Sequence, residues 1–138
     1  MSSFVLDASI ALAWCFEDEV TAAAEATLEL LRESAALVPA IWPFEVANAL
    51  LAGERRGRVT ESHGTQLLEV LSGLPIEVEP PPGRERLGRL TALARRHGLS
   101  VYDGAYLDLA ARRNLPLATA DKALISAAST DGVRLLTR

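Results

Sequence analysis

Four acidic residues stand where a chain of alternating strands and helices would turn its side chains toward a ligand: Asp7, Glu45, Asp103 and Asp121. Asp7 follows the apolar run Phe4-Val5-Leu6, and Asp121 follows Leu117-Ala118-Thr119-Ala120. Glu45 lies in Trp42-Pro43-Phe44-Glu45-Val46-Ala47-Asn48-Ala49-Leu50, where proline opens a helix and the acid falls in its first turn. Asp103 lies in Leu99-Ser100-Val101-Tyr102-Asp103-Gly104-Ala105-Tyr106, again at a helix start. Taken singly, each has an ordinary reading. Asp7 and Asp121 suit helix N-caps, Glu45 suits the positive end of a helix dipole, and Ser100 with Asp103 has capping-box spacing. Two details pull the other way. Glu45 sits between Phe44 and Val46, an uncomfortable place for a merely solvated acid, and Gly104 suits a point where something approaches the backbone closely. Asp108 falls about 140° round the helix from Asp103 at roughly 100° per residue, so it is set apart from the group.

Four carboxylates gathered in one place repel one another and raise each other's pKa values, and a divalent cation relieves that repulsion. Donors that are all oxygen, with no paired His or Cys, suit Mg²⁺ or Mn²⁺ better than zinc. Mg²⁺ keeps several waters and leaves positions for phosphate oxygens.

The elements that must position these acids can be read from the pattern of apolar runs. Short buried strands are predicted over residues 3–6, 37–39, 76–78, 117–119 and 133–136. Helices are predicted over residues 8–16, 21–33, 43–56, 84–97, 101–113 and 122–128, with one more from the Thr60 cap to about Gly73. In the helix over 21–33, Ala24, Leu28 and Leu31 are expected to share the apolar side. Gly57 stops the helix before it, and Pro80-Pro81-Pro82-Gly83 is too short to divide domains. Strands separated by helices in this rhythm predict a parallel sheet with helices on both faces. Right-handed crossovers then bring all strand C-terminal ends to one edge, where open sheets bind ligands. All four acids fall at that edge.

Composition narrows the function classes. A chain of 138 residues with 49% hydrophobic residues fits one domain over 1–138 with a proper core. The net charge of −4 argues against a generic, charge-driven nucleic-acid binder but not against a carboxylate-based metal site. The single Cys15, in an apolar run, reads as a buried inert thiol, with His63 and His97 far along the chain in polar surroundings. The N-terminus lacks a basic region and reaches Asp7 too soon for a secretory leader, and every apolar run is cut by charge, Pro or Gly. A cytoplasmic protein with no membrane partner is expected. Arg55, Arg56, Arg58, Arg84, Arg86 and Arg89 either track a nucleic-acid backbone or cover solvated helix ends. Trp14, Trp42 and Phe44, close in sequence to Asp7 and Glu45, either line a groove for a partner helix or fill the core.

The pieces Val5-Leu6-Asp7-Ala8-Ser9, Pro43-Phe44-Glu45-Val46-Ala47-Asn48-Ala49-Leu50, Leu99-Ser100-Val101-Tyr102-Asp103-Gly104-Ala105-Tyr106-Leu107 and Thr119-Ala120-Asp121-Lys122-Ala123-Leu124 resemble a PIN domain. Within that family they are similar to the VapC-type toxins of bacterial and archaeal toxin–antitoxin pairs. Order and spacing agree nearly end to end. The resemblance implies a three-layer α/β/α sandwich with a five-stranded parallel sheet. It implies Asp7, Glu45, Asp103 and Asp121 as both the metal ligands and the catalytic set, with the hydroxyls of Ser9 and Thr119 supporting them. It further implies endonucleolytic cleavage of RNA, a homodimer, and inhibition by a small protein antitoxin. Water attack on a scissile phosphate, with Asp103 orienting or deprotonating the water, would leave 5′-phosphate and 3′-hydroxyl ends.

Two other readings stay open on the sequence. A phospho-acceptor receiver module also carries acids around Mg²⁺ at its strand ends. It wants paired acids after the first strand and a lysine after the last, whereas Leu6 precedes Asp7 and the only lysine, Lys122, follows the fourth strand. A PIN domain with a vestigial site that only binds RNA is the other.

Overall fold

The computed structural model describes residues 2–136. Its elements run β1 (Ser2–Leu6), α1 (Ala8–Cys15), a 3₁₀ turn (Glu17–Glu19), α2 (Ala22–Leu30), β2 (Ala35–Val38), α3 (Trp42–Arg55), α4 (Glu61–Ser72), β3 (Ile76–Val78), α5 (Arg84–His97), α6 (Val101–Arg113), β4 (Leu117–Ala118) and α7 (Lys122–Thr130). The strands form one parallel sheet in the order β3-β2-β1-β4. The apolar runs explain why β1 lies at the centre. Phe4, Val5 and Leu6 are fully buried, with Val5 opposite both Leu37 of β2 and Leu117 of β4.

The chain moves outward from β1 to β2 to β3, then returns to add β4 on the other side of β1. Right-handed crossovers therefore put α1 to α4 on one face and α5 to α7 on the other. The packing agrees: α1 contacts α2 and α3, and α3 contacts α4, while α6 lies between α5 and α7 and rests on β1 and β4. Tyr106, Leu107, Leu109 and Ala110 of α6 are almost wholly buried there. The point where strand order reverses, between the C-terminal ends of β1 and β4, opens a crevice.

Local signals account for most element ends. Thr21, Thr60 and Ser100 each accept a hydrogen bond from the backbone N–H three residues on, at 3.1, 3.1 and 3.0 Å, which caps α2, α4 and α6. Pro43 sits in the first turn of α3. Gly57 (φ +75°) turns the chain out of that helix in a conformation that a side chain would strain.

Some expectations need correction. The fifth strand predicted over residues 133–136 is reduced to one parallel bridge, Leu135 with Leu117, so the sheet has four strands among the described residues. With β4 only two residues long, there is little ladder for a fifth strand to extend. The helix predicted over 21–33 ends at Leu30, and its inward face is Ala24, Thr27 and Leu31; Leu28 is exposed. Thr27 is tolerated inside because its hydroxyl donates to the Ala23 carbonyl at 2.8 Å. Cys15 is buried as expected, and burial pushes its thiol pKa up. Among the described residues no helix is long and apolar enough to cross a membrane.

Candidate active site

The crevice holds all four predicted acids. Asp7, Glu45, Asp103 and Asp121 line one open cavity of about 430 Å³, together with Ala8, Ser9, Leu12, Asn48 and Ala49. Each acid is delivered by a different local device. Asp7 occupies the N-cap position of α1, yet its side chain makes no cap hydrogen bond. Its carboxylate oxygen Oδ2 instead accepts from the Ser9 hydroxyl at 2.6 Å and the Thr119 hydroxyl at 2.7 Å. The residue is only 5% exposed, so these two bonds fix a carboxylate that water scarcely reaches.

Ser9 and Thr119 also brace the backbone around Asp121. Ser9 Oγ accepts from the Ala120 N–H at 3.1 Å, and Thr119 Oγ1 accepts from the Asp121 N–H at 3.0 Å. Asp121 is a true N-cap, accepting from the Leu124 N–H at 3.3 Å, and lines the cavity as well. Asp103 likewise combines roles. Its N–H donates to the capping Ser100, and its side chain borders the cavity. Both residues thus combine a helix-start position with a place on the cavity wall, because a helix start at this sheet edge points into the crevice.

Glu45, in the first turn of α3, accepts a hydrogen bond from the phenol of Tyr106. Tyr106 is fully buried, and burial, together with the Glu45 carboxylate, pushes its pKa far up, so it acts as a fixed donor. Sequence reasoning missed this partner. The available signal was spacing: Tyr106 is three residues after Asp103 and therefore on the same face of α6.

The electrostatics follow from burial and crowding. Burial raises the Asp7 pKa; the Ser9 and Thr119 hydroxyls oppose the rise, and the charges of Asp103 and Asp121 add to it. Burial also raises Glu45, against the Tyr106 hydrogen bond and with the charges of Asp7 and Asp103. Burial and the charge of Asp121 raise Asp103, with Ser100 opposing. Among the described residues, no arginine or lysine lines the cavity to offset this negative charge. The donors are all oxygen, as a hard cation requires. Among the described residues no three acids form a ready-made cage for a metal ion. A cation that keeps part of its water shell needs no such cage, so the donor set fits one of the Mg²⁺ type.

The six arginines named from the sequence lie elsewhere. Arg58 pairs with Asp18 and Glu19 and covers the Phe16 ring, Arg86 pairs with Glu79 at 2.7 Å, and Arg89 approaches Glu85 at 3.7 Å. Arg55, Arg56 and Arg84 are exposed. Of the aromatic residues, Trp42 belongs to the core, and Trp14 donates from its indole to the Ala24 carbonyl at 2.8 Å, tying α1 to α2. Phe44 alone of the three stands out into solvent, 72% exposed.

Comparisons with known proteins identify the family. The PIN-domain family matches residues 4–129. Ribonuclease VapC3 of Pyrobaculum aerophilum is 34% identical over 120 residues, covering 87% of this chain and 90% of that protein. The crystal structure of PAE2754 from Pyrobaculum aerophilum superposes with a TM-score of 0.72 at 24% identity, covering 91% of this chain and 84% of that one, and shares the fold. The receiver reading, already short of a paired acid and a terminal lysine, gives way to this assignment. A parallel sheet with its order reversing at β1, a crevice at that reversal and a match over most of the length lead to one conclusion: the chain belongs to the PIN-domain family and is a homologue of a VapC ribonuclease.

Proposed function

We propose that this protein, as a single three-layer α/β/α PIN domain, is a metal-dependent endoribonuclease and the toxin of a type II toxin–antitoxin pair. The observation that carries the reading is the convergence of Asp7, Glu45, Asp103 and Asp121 on one cavity. These four would hold Mg²⁺, with Mn²⁺ as the alternative ion. Bound there, the ion supplies charge to offset the phosphodiester and makes water more acidic. The chain's own residues do the rest. The Ser9 and Thr119 hydroxyls hold Asp7, and the Tyr106 phenol holds Glu45, so neither acid has to be ordered when substrate arrives. Asp103 is the cavity acid we assign as general base. It takes the proton of a water whose oxygen bonds to phosphorus as the bond to the 3′-oxygen breaks; that oxygen takes a proton from solvent water, leaving a 5′-phosphate and a 3′-hydroxyl.

A single-stranded or looped RNA suits so open a cavity, since its bases and backbone are separately accessible. A homodimer and a protein antitoxin complete the reading. Phe44 and Tyr102, 72% and 59% exposed, line an apolar groove of about 290 Å³ with Leu87 and Pro80 to Pro82. Contiguous apolar surface of this kind marks protein contacts. The test is cleavage of single-stranded RNA by purified protein in Mg²⁺ and in excess EDTA, with the new ends sequenced. Cleavage in Mg²⁺ alone with 5′-phosphate ends is expected; cleavage that survives EDTA contradicts the proposal. A wild type that binds Mg²⁺ and RNA but cuts nothing would favour the vestigial RNA-binding alternative.

A further inference from the structure

The cavity that would receive a phosphodiester is lined almost wholly by groups that only accept hydrogen bonds or make none. Ser9 is a hydroxyl donor, but its hydrogen goes to Asp7. Among the described residues, the remaining lining side chain able to donate is Asn48. It lies on α3 three residues after Glu45, which puts the two on the same face of the helix, and both border the cavity. Asn48 is exposed, and its carboxamide makes no hydrogen bond within the described protein.

A neutral donor here has a clear use. The non-bridging oxygens of a phosphodiester accept hydrogen bonds and cannot donate them, so the carboxylates around them offer no bond. A cation fixes charge but not the orientation of the phosphate. A lysine or arginine in this place would pair with the acids and compete for them, whereas an amide N–H₂ does not. Resting on the nuclease reading above, we infer that Asn48 orients the substrate by donating from Nδ2 to a non-bridging oxygen of the phosphate at or beside the cut.

The experiment compares wild type, Asn48→Ala and Asn48→Asp. One readout is binding of a single-stranded RNA oligonucleotide in Ca²⁺, followed by fluorescence anisotropy. The others are steady-state cleavage in Mg²⁺ and Mg²⁺ binding by calorimetry. Because Asn48 is exposed on a helix and alanine favours helix, Asn48→Ala should fold, which its melting temperature checks. Asn48→Ala should weaken RNA binding and lower kcat/KM about tenfold while Mg²⁺ affinity stays unchanged. Asn48→Asp should weaken RNA binding further by adding like charge, yet bind Mg²⁺ at least as tightly as wild type. Loss of RNA affinity in Asn48→Ala with Mg²⁺ affinity and melting temperature unchanged is the signature that a merely structural role would not produce. Wild-type RNA binding and cleavage in both variants would overturn the inference. So would an Asn48→Ala penalty that disappears on an oligonucleotide lacking the 2′-hydroxyl, since that places the amide on the ribose. A wild-type protein that cleaves no RNA in Mg²⁺ defeats the nuclease reading instead, and is read separately from the variants.

Discussion

Replacing Tyr106 with phenylalanine isolates the contribution of one buried hydroxyl to the site. The ring of Tyr106 is fully buried, and phenylalanine keeps it, so no cavity opens. What is lost is chiefly the hydrogen bond donated to the Glu45 carboxylate, with a smaller one accepted from the Ala8 backbone N–H. Hydrogen bonds to charged groups contribute about 1.5–3 kcal/mol. Glu45 is only half-buried, so water replaces part of the loss, and the lower end, about 1.5 kcal/mol, is expected. For a chain of this size that corresponds to a fall in melting temperature of about 6 °C. The functional effect should be larger in proportion. Freed from its brace, Glu45 samples rotamers that do not face the cavity, and losses of this kind cost about 10–100-fold in metal affinity. The assay is a thermal melt in EDTA beside a Mg²⁺ titration by calorimetry, with Tyr102→Phe, a change at an exposed phenol, as control. A Tyr106→Phe protein whose melting temperature and Mg²⁺ midpoint both match wild type would refute the claim that Tyr106 holds Glu45 in place.

Other consequences can be checked alongside. Asp7→Asn keeps an acceptor for Ser9 and Thr119, so the protein should stay folded with stability within about 2 kcal/mol of wild type, while Mg²⁺-dependent cleavage falls at least about a hundredfold. In EDTA, the raised pKa values of Asp7, Glu45 and Asp103 mean that the native state holds protons more tightly than the unfolded chain. Their contribution is therefore greatest below the unfolded pKa, near 4, and is lost as pH rises through the folded values. Melting temperature measured against pH should fall less for Asp7→Asn than for wild type over that rise, and identical curves would show that burial in the crevice does not raise the Asp7 pKa. Gly104 packs against α5, where an added Cβ would meet the Ala94 methyl at 3.3 Å and Leu90 at 3.4 Å. Gly104→Val should cost about 1–3 kcal/mol by overpacking, read from urea denaturation.

The placement of the acids was legible because strand ends and helix starts are marked by local chemistry. An apolar run breaking at Asp7 or Asp121, Pro43 before Glu45 and Ser100 before Asp103 each fix a boundary within a few residues. The parallel sheet then gathers those boundaries. Side-chain partnership was harder to read, since it depends on helix phase and on which elements touch. Tyr106 meets Glu45 only because α6 and α3 converge, although the two residues are 61 apart in sequence. The same limit explains Leu28. Its helical spacing allowed an inward face, but α1 covers the side bearing Ala24 and Thr27. The predicted fifth strand failed for a different reason. The apolar residues over 133–136 report the capacity to pair, whereas the length of the ladder is set by β4.

The Thr119 hydroxyl joins Asp7 to the backbone of Asp121 across 112 residues of chain. During synthesis, the first acid leaves the ribosome long before its brace does. Until β4 and the start of α7 emerge, Asp7 has no Thr119 and the crevice has no second wall. A chain cut before Thr119 would lack both the hydroxyl that fixes Asp7 and the wall that carries Asp121, so the four acids could not gather.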